Sequence, residues 1–137
     1  MNLSTKGRYA VRALLDLALR SGTGPVVVRD ISERQGISSL YLAQLFNRLK
    51  TAGFVRSVRG SRGGFELARR PRDIRIMDVL QVMEGSTVVA DCVGNGHRCS
   101  RSGSCKTRRL WMEIQKTTDE ILQRTTLEDL MAKDKHP

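Results

Sequence analysis

The thiols are the residues of this chain best suited to chemistry, and all of them lie close together. Cys92, Cys99 and Cys105 are the only cysteines among 137 residues, and they fall within the segment DCVGNGHRCSRSGSCKTRR. That segment is rich in glycine, serine and basic residues, so it offers few apolar neighbours with which a structural cysteine would be buried. Three thiols grouped on such a loop indicate a metal site or a redox centre.

The length and the cysteine count limit what can surround this loop. A chain of 137 residues is long enough for one compact core and too short for two ordinary domains. An odd number of cysteines argues against a disulfide framework and favours metal binding or thiol chemistry. The sequence contains no apolar run of membrane-spanning length and no signal-peptide pattern, so we expect a cytoplasmic protein with no membrane partner.

The charge balance indicates an acidic partner. Lysine and arginine number 24 against 14 acidic residues, which gives a formal net charge of +10. Nucleic acid is the commonest partner for such a basic excess, and a merely solvated basic surface is the alternative.

The segment DISERQGISSLYLAQLFNRLKTAGFV has the pattern of a helix-turn-helix. It predicts a short helix, a turn at Gly36 and a second helix capped by Ser38 or Ser39. In the second helix, the helical spacing places four apolar side chains on one buried stripe: Leu42, Leu45, Phe46 and Leu49. The same spacing turns outward a face suited to base edges, made of Leu40, Ala43, Gln44 and Asn47, with Tyr41, Arg48 and Lys50 beside it.

A glycine-rich hairpin is predicted directly after the helix-turn-helix. The sequence FVRSVRGSRGGFEL contains two strand-like runs joined by RGSRGG, and this order is typical of the wing of a winged helix. Arg56, Arg59 and Arg62 project from the hairpin or lie beside it, where they can contact phosphates or a minor groove.

The remaining elements are predicted to be mainly helical. Ser4 caps a first helix, residues 26–28 form a short strand before a helix that starts near residue 29 or 30, and another helix ends near Gly85. After the cysteines, four residues recur at four-three-four spacing, which favours pairing with a second chain over packing within one chain: Leu110, Ile114, Thr117 and Ile121. The fold class is therefore mostly α with a small β-hairpin, a winged helix-turn-helix plus a long C-terminal dimerisation helix. We expect a DNA-binding domain over 1–84, a cysteine loop over 85–108 and a dimerisation helix with a tail over 109–137.

The ordered motifs resemble a known bacterial family. MNLSTKGRYAV, DISERQGIS, SVRGSRGG and a three-cysteine loop before a long helix occur in the same order in the IscR-type iron-sulfur cluster regulators, which are grouped with NsrR and RirA. The resemblance covers nearly the whole chain. It implies a homodimeric winged-helix transcription factor that holds a [2Fe-2S] cluster and whose DNA binding changes with cluster status.

The resemblance assigns three cluster ligands and leaves the fourth open. Cys92, Cys99 and Cys105 match the ligand cysteines of the family, although the first gap is one residue longer here. Arg108 stands where IscR-type proteins carry a histidine ligand, and Arg8 stands where NsrR-type proteins carry an aspartate. His97 is the only histidine in the loop and is our candidate for the fourth ligand, since imidazole ligates iron in Rieske centres. Asp91, a carboxylate from another helix, a small thiol and water are the alternatives.

The spacing of the thiols favours a cluster over zinc. Gaps of six and five residues allow a loop to wrap around two iron atoms, whereas tetrahedral zinc sites more often use pairs two to four residues apart. A cluster-free thiol switch or a zinc-containing regulator is the alternative, because nearby basic residues make the thiols oxidisable when they are empty.

The leading interpretation is a regulator that binds a pseudo-palindromic operator in double-stranded DNA as a homodimer. We predict nine DNA-binding residues: Lys6, Ser38, Ser39, Tyr41, Gln44, Asn47, Arg48, Arg59 and Arg62. A basic RNA-binding module is a second alternative, although the chain has few aromatic residues for stacking on bases. An enzyme is not expected, since the sequence contains no catalytic grouping of the known kinds.

Overall fold

The computed structural model describes residues 2–61, 63–94, 99–101 and 103–132. The described segments form seven α-helices, one two-stranded antiparallel sheet and one 3₁₀ turn. In chain order these are α1 (Thr5–Leu19), α2 (Val28–Gln35), α3 (Ser39–Thr51), β1 (Val55–Val58), β2 (Gly64–Leu67), the 3₁₀ turn (Pro71–Asp73), α4 (Ile76–Glu84), α5 (Asp91–Gly94), α6 (Arg108–Arg124) and α7 (Leu127–Ala132).

The predicted helix-turn-helix is confirmed, and its caps explain where the helices begin and end. The hydroxyl of Ser4 accepts from the N–H of Lys6 at the start of α1, and the hydroxyl of Ser38 accepts from the N–H of Tyr41 at the start of α3. Gly36 ends α2 at a φ of 65°, in the left-handed region that glycine enters most easily. A sharp turn between α2 and α3 follows.

The prediction of a short strand over residues 26–28 is wrong. Val26 alone pairs with Phe65, through main-chain hydrogen bonds of 2.9 and 2.8 Å. Val27 is the extended residue that precedes α2, which begins at Val28, one residue before the predicted start near residue 29 or 30. The strand stops after one pair because the carbonyl of Val27 already accepts from the N–H of Asp30 in the first helical turn.

The hairpin and the core follow the sequence pattern closely. Strands β1 and β2 pair antiparallel, with Val55 opposite Leu67 and Val58 opposite Gly64. The four stripe residues of α3 are buried, and Phe46 stacks on Phe65 of β2 with ring centroids 4.8 Å apart. Helices α1 and α4 pack against this unit, and Leu127 of α7 enters the same core. The hairpin is therefore fixed to the helix that carries the candidate base-reading face.

Helix α6 is packed through a polar residue rather than through its apolar stripe. Gln115 is the one buried residue of α6. The predicted stripe is on another side, where Leu110, Ile114 and Ile121 are 50%, 40% and 46% exposed. Within the described segments, no helix is long and apolar enough to cross a membrane.

Candidate DNA interface and cysteine loop

The outer face of α3 is open to solvent over its whole length. Its buried stripe fixes the rotation of the helix, so the remaining side chains project away from the core. The exposed residues include seven that form a continuous polar and apolar surface: Ser38, Ser39, Leu40, Ala43, Gln44, Asn47 and Arg48. Six of the nine predicted DNA-binding residues, counting Tyr41, therefore lie on or beside one helix face.

Tyr41 is held in place by the first helix. Its hydroxyl lies 3.2 Å from the hydroxyl of Thr5, and its ring meets the ring of Tyr9 edge-on at 6.0 Å. The guanidinium of Arg12 stands 5.2 Å from the centre of the Tyr9 ring. Because Tyr41 is half-buried against α1, its position in any DNA complex depends on how α1 sits against α3.

The other predicted DNA-binding residues lie at the edges of this face. Lys6 is exposed in the first turn of α1, and Arg59 is exposed where β1 ends and the tip of the hairpin begins. Arg56 forms a salt bridge with Glu66 on the paired strand of the hairpin, with 2.7 Å between Nε and Oε1. The predicted contact of Arg62 lies outside the described residues.

Glu84 fastens the first helix to the end of α4, a contact that the sequence does not predict. Its carboxylate accepts from the N–H of Ser4 at 3.0 Å, from the Ser4 hydroxyl at 2.7 Å and from the N–H of Gly7 at 3.1 Å. A Cβ on Gly7 would lie 2.4 Å from Glu84 Oε1. A carboxylate at a helix N-terminus is electrostatically favourable, so this contact sets the position of Lys6 and Thr5 beside α3.

The three cysteines are free thiols of intermediate exposure. Cys92 lies on α5, whereas Cys99 and Cys105 lie in the loop between α5 and α6. Among residues 2–61, 63–94, 99–101 and 103–132, no three cysteine, histidine or acidic side chains converge on one point that could hold a metal ion. His97, our candidate for the fourth ligand, lies outside the described residues.

Cys105 is in surroundings that favour its thiolate. The hydroxyl of Thr107 lies 3.1 Å from Cys105 Sγ. That hydroxyl, the main-chain N–H groups of Arg108 and Thr107, and the charge of Arg101 together lower the pKa of the Cys105 thiol below its ordinary value. A thiolate is the form that ligates metals and reacts with oxidants.

Two side chains of α6 hold the segment that carries Cys92. Arg108 donates from Nε to the main-chain carbonyl of Cys92 at 3.1 Å. Gln115 accepts from the N–H of Val89 at 2.7 Å and donates to the carbonyl of Thr87 at 3.1 Å. Arg108, which stands where the resemblance places a histidine ligand, therefore positions Cys92 through its backbone.

These positioning residues had no clear signal in the sequence. A glutamate before a glycine at a helix end, or a glutamine on a helix, is an ordinary surface residue by pattern. Glu84 bonds Ser4, which is 80 residues away in the sequence, and Gln115 bonds Thr87, which is 28 residues away. Only the arrangement of the helices brings them to those partners.

Known proteins resemble this chain over almost its full length. The model of the Rrf2 family, described as an iron-dependent transcriptional regulator, matches residues 3–133. The HTH-type transcriptional regulator IscR of Klebsiella pneumoniae strain 342 is 44% identical over 131 residues, which are 96% of this chain and 80% of that protein.

Solved structures agree with this relationship. The structure of T. potens IscR is 39% identical, with a TM-score of 0.79, over 98% of this chain and 89% of that one. CymR, the global cysteine regulator of B. subtilis, is 33% identical, with a TM-score of 0.84, over 98% of this chain and 99% of its own.

The fold and the exposed helix define a winged helix-turn-helix protein of the DNA-binding type. The chain belongs to the Rrf2 family of transcriptional regulators. Its relatives regulate transcription and are not enzymes, which agrees with the sequence-based expectation. The resemblance to IscR-type regulators is likewise confirmed.

Proposed function

We propose that this protein is a homodimeric regulator whose binding to double-stranded DNA depends on a [2Fe-2S] cluster held by Cys92, Cys99 and Cys105. The observation that carries the proposal is the position of α6. This one helix holds the Cys92 segment through Arg108 and Gln115 and also presents an exposed apolar stripe. A change in the loop is thereby transmitted to the surface at which two chains would meet.

In the proposed complex, the recognition helices of two chains enter successive major grooves of a pseudo-palindromic operator. Gln44, Asn47 and Arg48 contact base edges or position the helix in the groove, since their side chains are exposed on the outer face of α3. The remaining predicted contacts serve mainly phosphates or the minor groove. They are made by Lys6, Ser38, Ser39, Tyr41, Arg59 and Arg62.

The dimer is proposed to form through the stripe of α6. Leu110, Ile114 and Ile121 are 40–50% exposed and lie at helical spacing on one side of a 17-residue helix. Apolar side chains aligned in this way are typical of a helix that pairs with another. The segments 1–84, 85–108 and 109–137 are the DNA-binding, sensing and dimerisation parts in this proposal.

The donor set fits an iron-sulfur cluster in its chemistry. Three partly exposed thiols, one on α5 and two in the loop that follows it, match the thiolate ligation of such clusters, and the lowered pKa of Cys105 favours the ligating form. When bound, the cluster would supply a centre that responds to oxidants and to iron supply. His97 is the proposed fourth ligand, with Asp91, a carboxylate from another helix, a small thiol or water as alternatives.

Contacts within one chain would couple the segment that carries Cys92 to helix α6. In this proposal, a shift of Cys92 toward the other two thiols alters the hydrogen bond between its carbonyl and Arg108, the first residue of α6. The same movement pulls on Thr87 and Val89, which Gln115 holds. A difference of a few kcal/mol between two positions of α6 is sufficient to alter the spacing of two DNA-binding heads.

The cluster is tested by anaerobic purification followed by visible absorbance, iron and sulfide analysis. Wild type is expected to show broad visible bands, and each of the variants C92S, C99S and C105S is expected to lose them. Ser104→Ala, an exposed residue of the same loop, is the matched control and should keep the bands. Wild-type protein without iron, sulfide or visible bands after anaerobic reconstitution would contradict the cluster.

A metal-free thiol switch is the second candidate, and two observations favour it. The described thiols do not converge on one point, and the thiolate of Cys105 is stabilised without any metal. In this alternative, mild oxidation of metal-free protein changes DNA affinity and reduction restores it. C105S would abolish that response, whereas S104A would not.

A further inference from the structure

Leu40 has the most exposed large apolar side chain in the described part of the chain. It is 73% exposed, compared with 61% for Leu19 and 50% for Leu110. Single exposed leucines are common on protein surfaces and need no explanation by themselves. Leu40, however, lies on the outer face of α3 in the first turn of the helix, next to polar residues suited to base edges.

The structure fastens the backbone that carries this side chain. Leu40 is the second residue of α3, and the N–H of the next residue is capped by Ser38. Tyr41 is anchored to Thr5 and Tyr9, while Leu42 is fully buried. The backbone on the C-terminal side of Leu40 is thus fastened to the core, and the exposed isobutyl group is presented on a rigid turn.

The neighbours of Leu40 on the face define a small apolar spot with a polar border. Ala43 and Gln44 are three and four positions further along, which places them beside Leu40 on the helix surface. Ala43 is exposed and small, so it leaves room next to Leu40 for a group of methyl size. Gln44 borders the spot with an amide.

We propose that Leu40 contacts the C5-methyl group of a thymine, in the space left by the small Ala43, and thereby determines specificity at one position in each half-site. The thymine methyl is the apolar group that base pairs present in the major groove, where every other edge group is a hydrogen-bond donor or acceptor. An aliphatic side chain cannot satisfy those polar groups. The inference rests on the proposed function, because it requires α3 to enter the major groove.

The same contact discriminates against other bases. A cytosine at this position lacks the C5-methyl group, so less apolar surface is buried against Leu40. Contact with thymine instead buries one methyl group, worth about a fourfold change in affinity for each half-site when about 0.8 kcal/mol is converted to a ratio.

The test uses a duplex that the full-length protein selects from a random-sequence library, at fixed salt. Each pyrimidine of the selected half-site is replaced in turn, thymine by uracil and cytosine by 5-methylcytosine, so that a methyl group is removed or added without changing the pairing edge. Affinities are measured for wild type, for Leu40→Ala and for Leu19→Ala. Leu19 is the matched control, because it is also highly exposed but is the last residue of α1.

At one position per half-site, wild type and L19A should lose about fourfold in affinity when thymine becomes uracil. With cytosine placed there, methylation should restore a similar factor, and L40A should respond to neither change. Methyl-insensitive binding by wild type, or a methyl response that persists in L40A, would overturn the inference. A library that yields no preferred duplex contradicts the proposed function itself, and the inference fails with it.

Discussion

At the scale of single residues, one buried carboxylate joins the first two helices. Asp16 is 5% exposed, and it accepts two hydrogen bonds from Arg34, at 2.7 and 3.0 Å, and one from Gln35 at 3.0 Å. Burial by itself raises the pKa of this carboxyl, but the hydrogen bonds from Arg34 and Gln35 and the charge of Arg34 outweigh burial, so its pKa is lowered. The arrangement holds the helix-turn-helix against α1.

We expect Asp16→Asn to lower the free energy of unfolding by about 2 kcal/mol at pH 7, because it removes a charged acceptor from a buried network. Urea denaturation measures the loss. Asp73→Asn is the control, since the pair of Asp73 with Arg70 is largely exposed and contributes less than about 1 kcal/mol.

The difference in unfolding free energy between wild type and D16N should also depend on pH. A carboxyl whose pKa is lowered by folding stabilises the protein above its unfolded pKa, near pH 4, and this contribution is lost as the pH falls through the folded pKa. The gap between wild type and D16N should therefore shrink below about pH 4. A gap that stays constant from pH 7 down to acid unfolding would contradict the assignment.

Residue roles were only partly predictable. The stripe of α3 and the caps Ser4, Gly36 and Ser38 followed from local spacing and were confirmed. Asp16 and Glu84 could not be found in this way, because their hydrogen-bond partners come from other elements.

At the scale of elements, the sequence predicted the order of the other helices and the hairpin, but neither the short helix α5 that carries Cys92 nor how α6 packs. Periodicity indicated an apolar stripe on α6. The buried contact of this helix is instead the side-chain amide of Gln115, which accepts from the main-chain N–H of Val89 and donates to the main-chain carbonyl of Thr87. Hydrophobic patterning does not detect such a contact. The error at residues 26–28 also involves main-chain hydrogen bonds that hydrophobic patterning does not detect. A strand was predicted there, but only Val26 pairs, in a single bridge to Phe65.

The link between α6 and the cysteine segment can be tested through thiol reactivity. Gln115→Met keeps the length of the side chain but removes its hydrogen bonds to Thr87 and Val89. We expect it to increase the alkylation rate of Cys92 in metal-free protein and to leave that of Cys105 unchanged, because Cys105 is held by Thr107 instead. Mass spectrometry of each peptide measures both rates.

Gln123→Met on the exposed side of α6 is the matched control and should change neither rate. Equal acceleration at Cys92 and Cys105 in Q115M would indicate general loosening and would count against a specific link.

At the scale of the whole molecule, a single chain leaves part of its apolar surface uncovered. Leu110, Ile114 and Ile121 are exposed on α6 although the core of the winged helix is complete without them. The sequence indicated this surface by the spacing of its apolar residues. Our proposal assigns it to a second copy.

Ile114→Asp is expected to convert the dimer to a monomer, because a carboxylate cannot be buried unpaired in an apolar interface. Sedimentation velocity measures the change in mass. Leu19→Asp places the same charge on an exposed leucine of α1 and should leave the dimer intact. A wild-type protein that is monomeric at micromolar concentration would contradict the proposed assembly.

The proposed function requires that the state of the cysteine loop controls DNA binding. The direct measurement is the affinity for the selected duplex, at fixed salt, of cluster-loaded and cluster-free protein from the same preparation, with C92S as a third sample. We predict that loaded and cluster-free wild type differ by about 5- to 150-fold, the usual range of coupling between two sites, and that C92S matches the cluster-free form. Equal affinities of the loaded and cluster-free protein would contradict the claim.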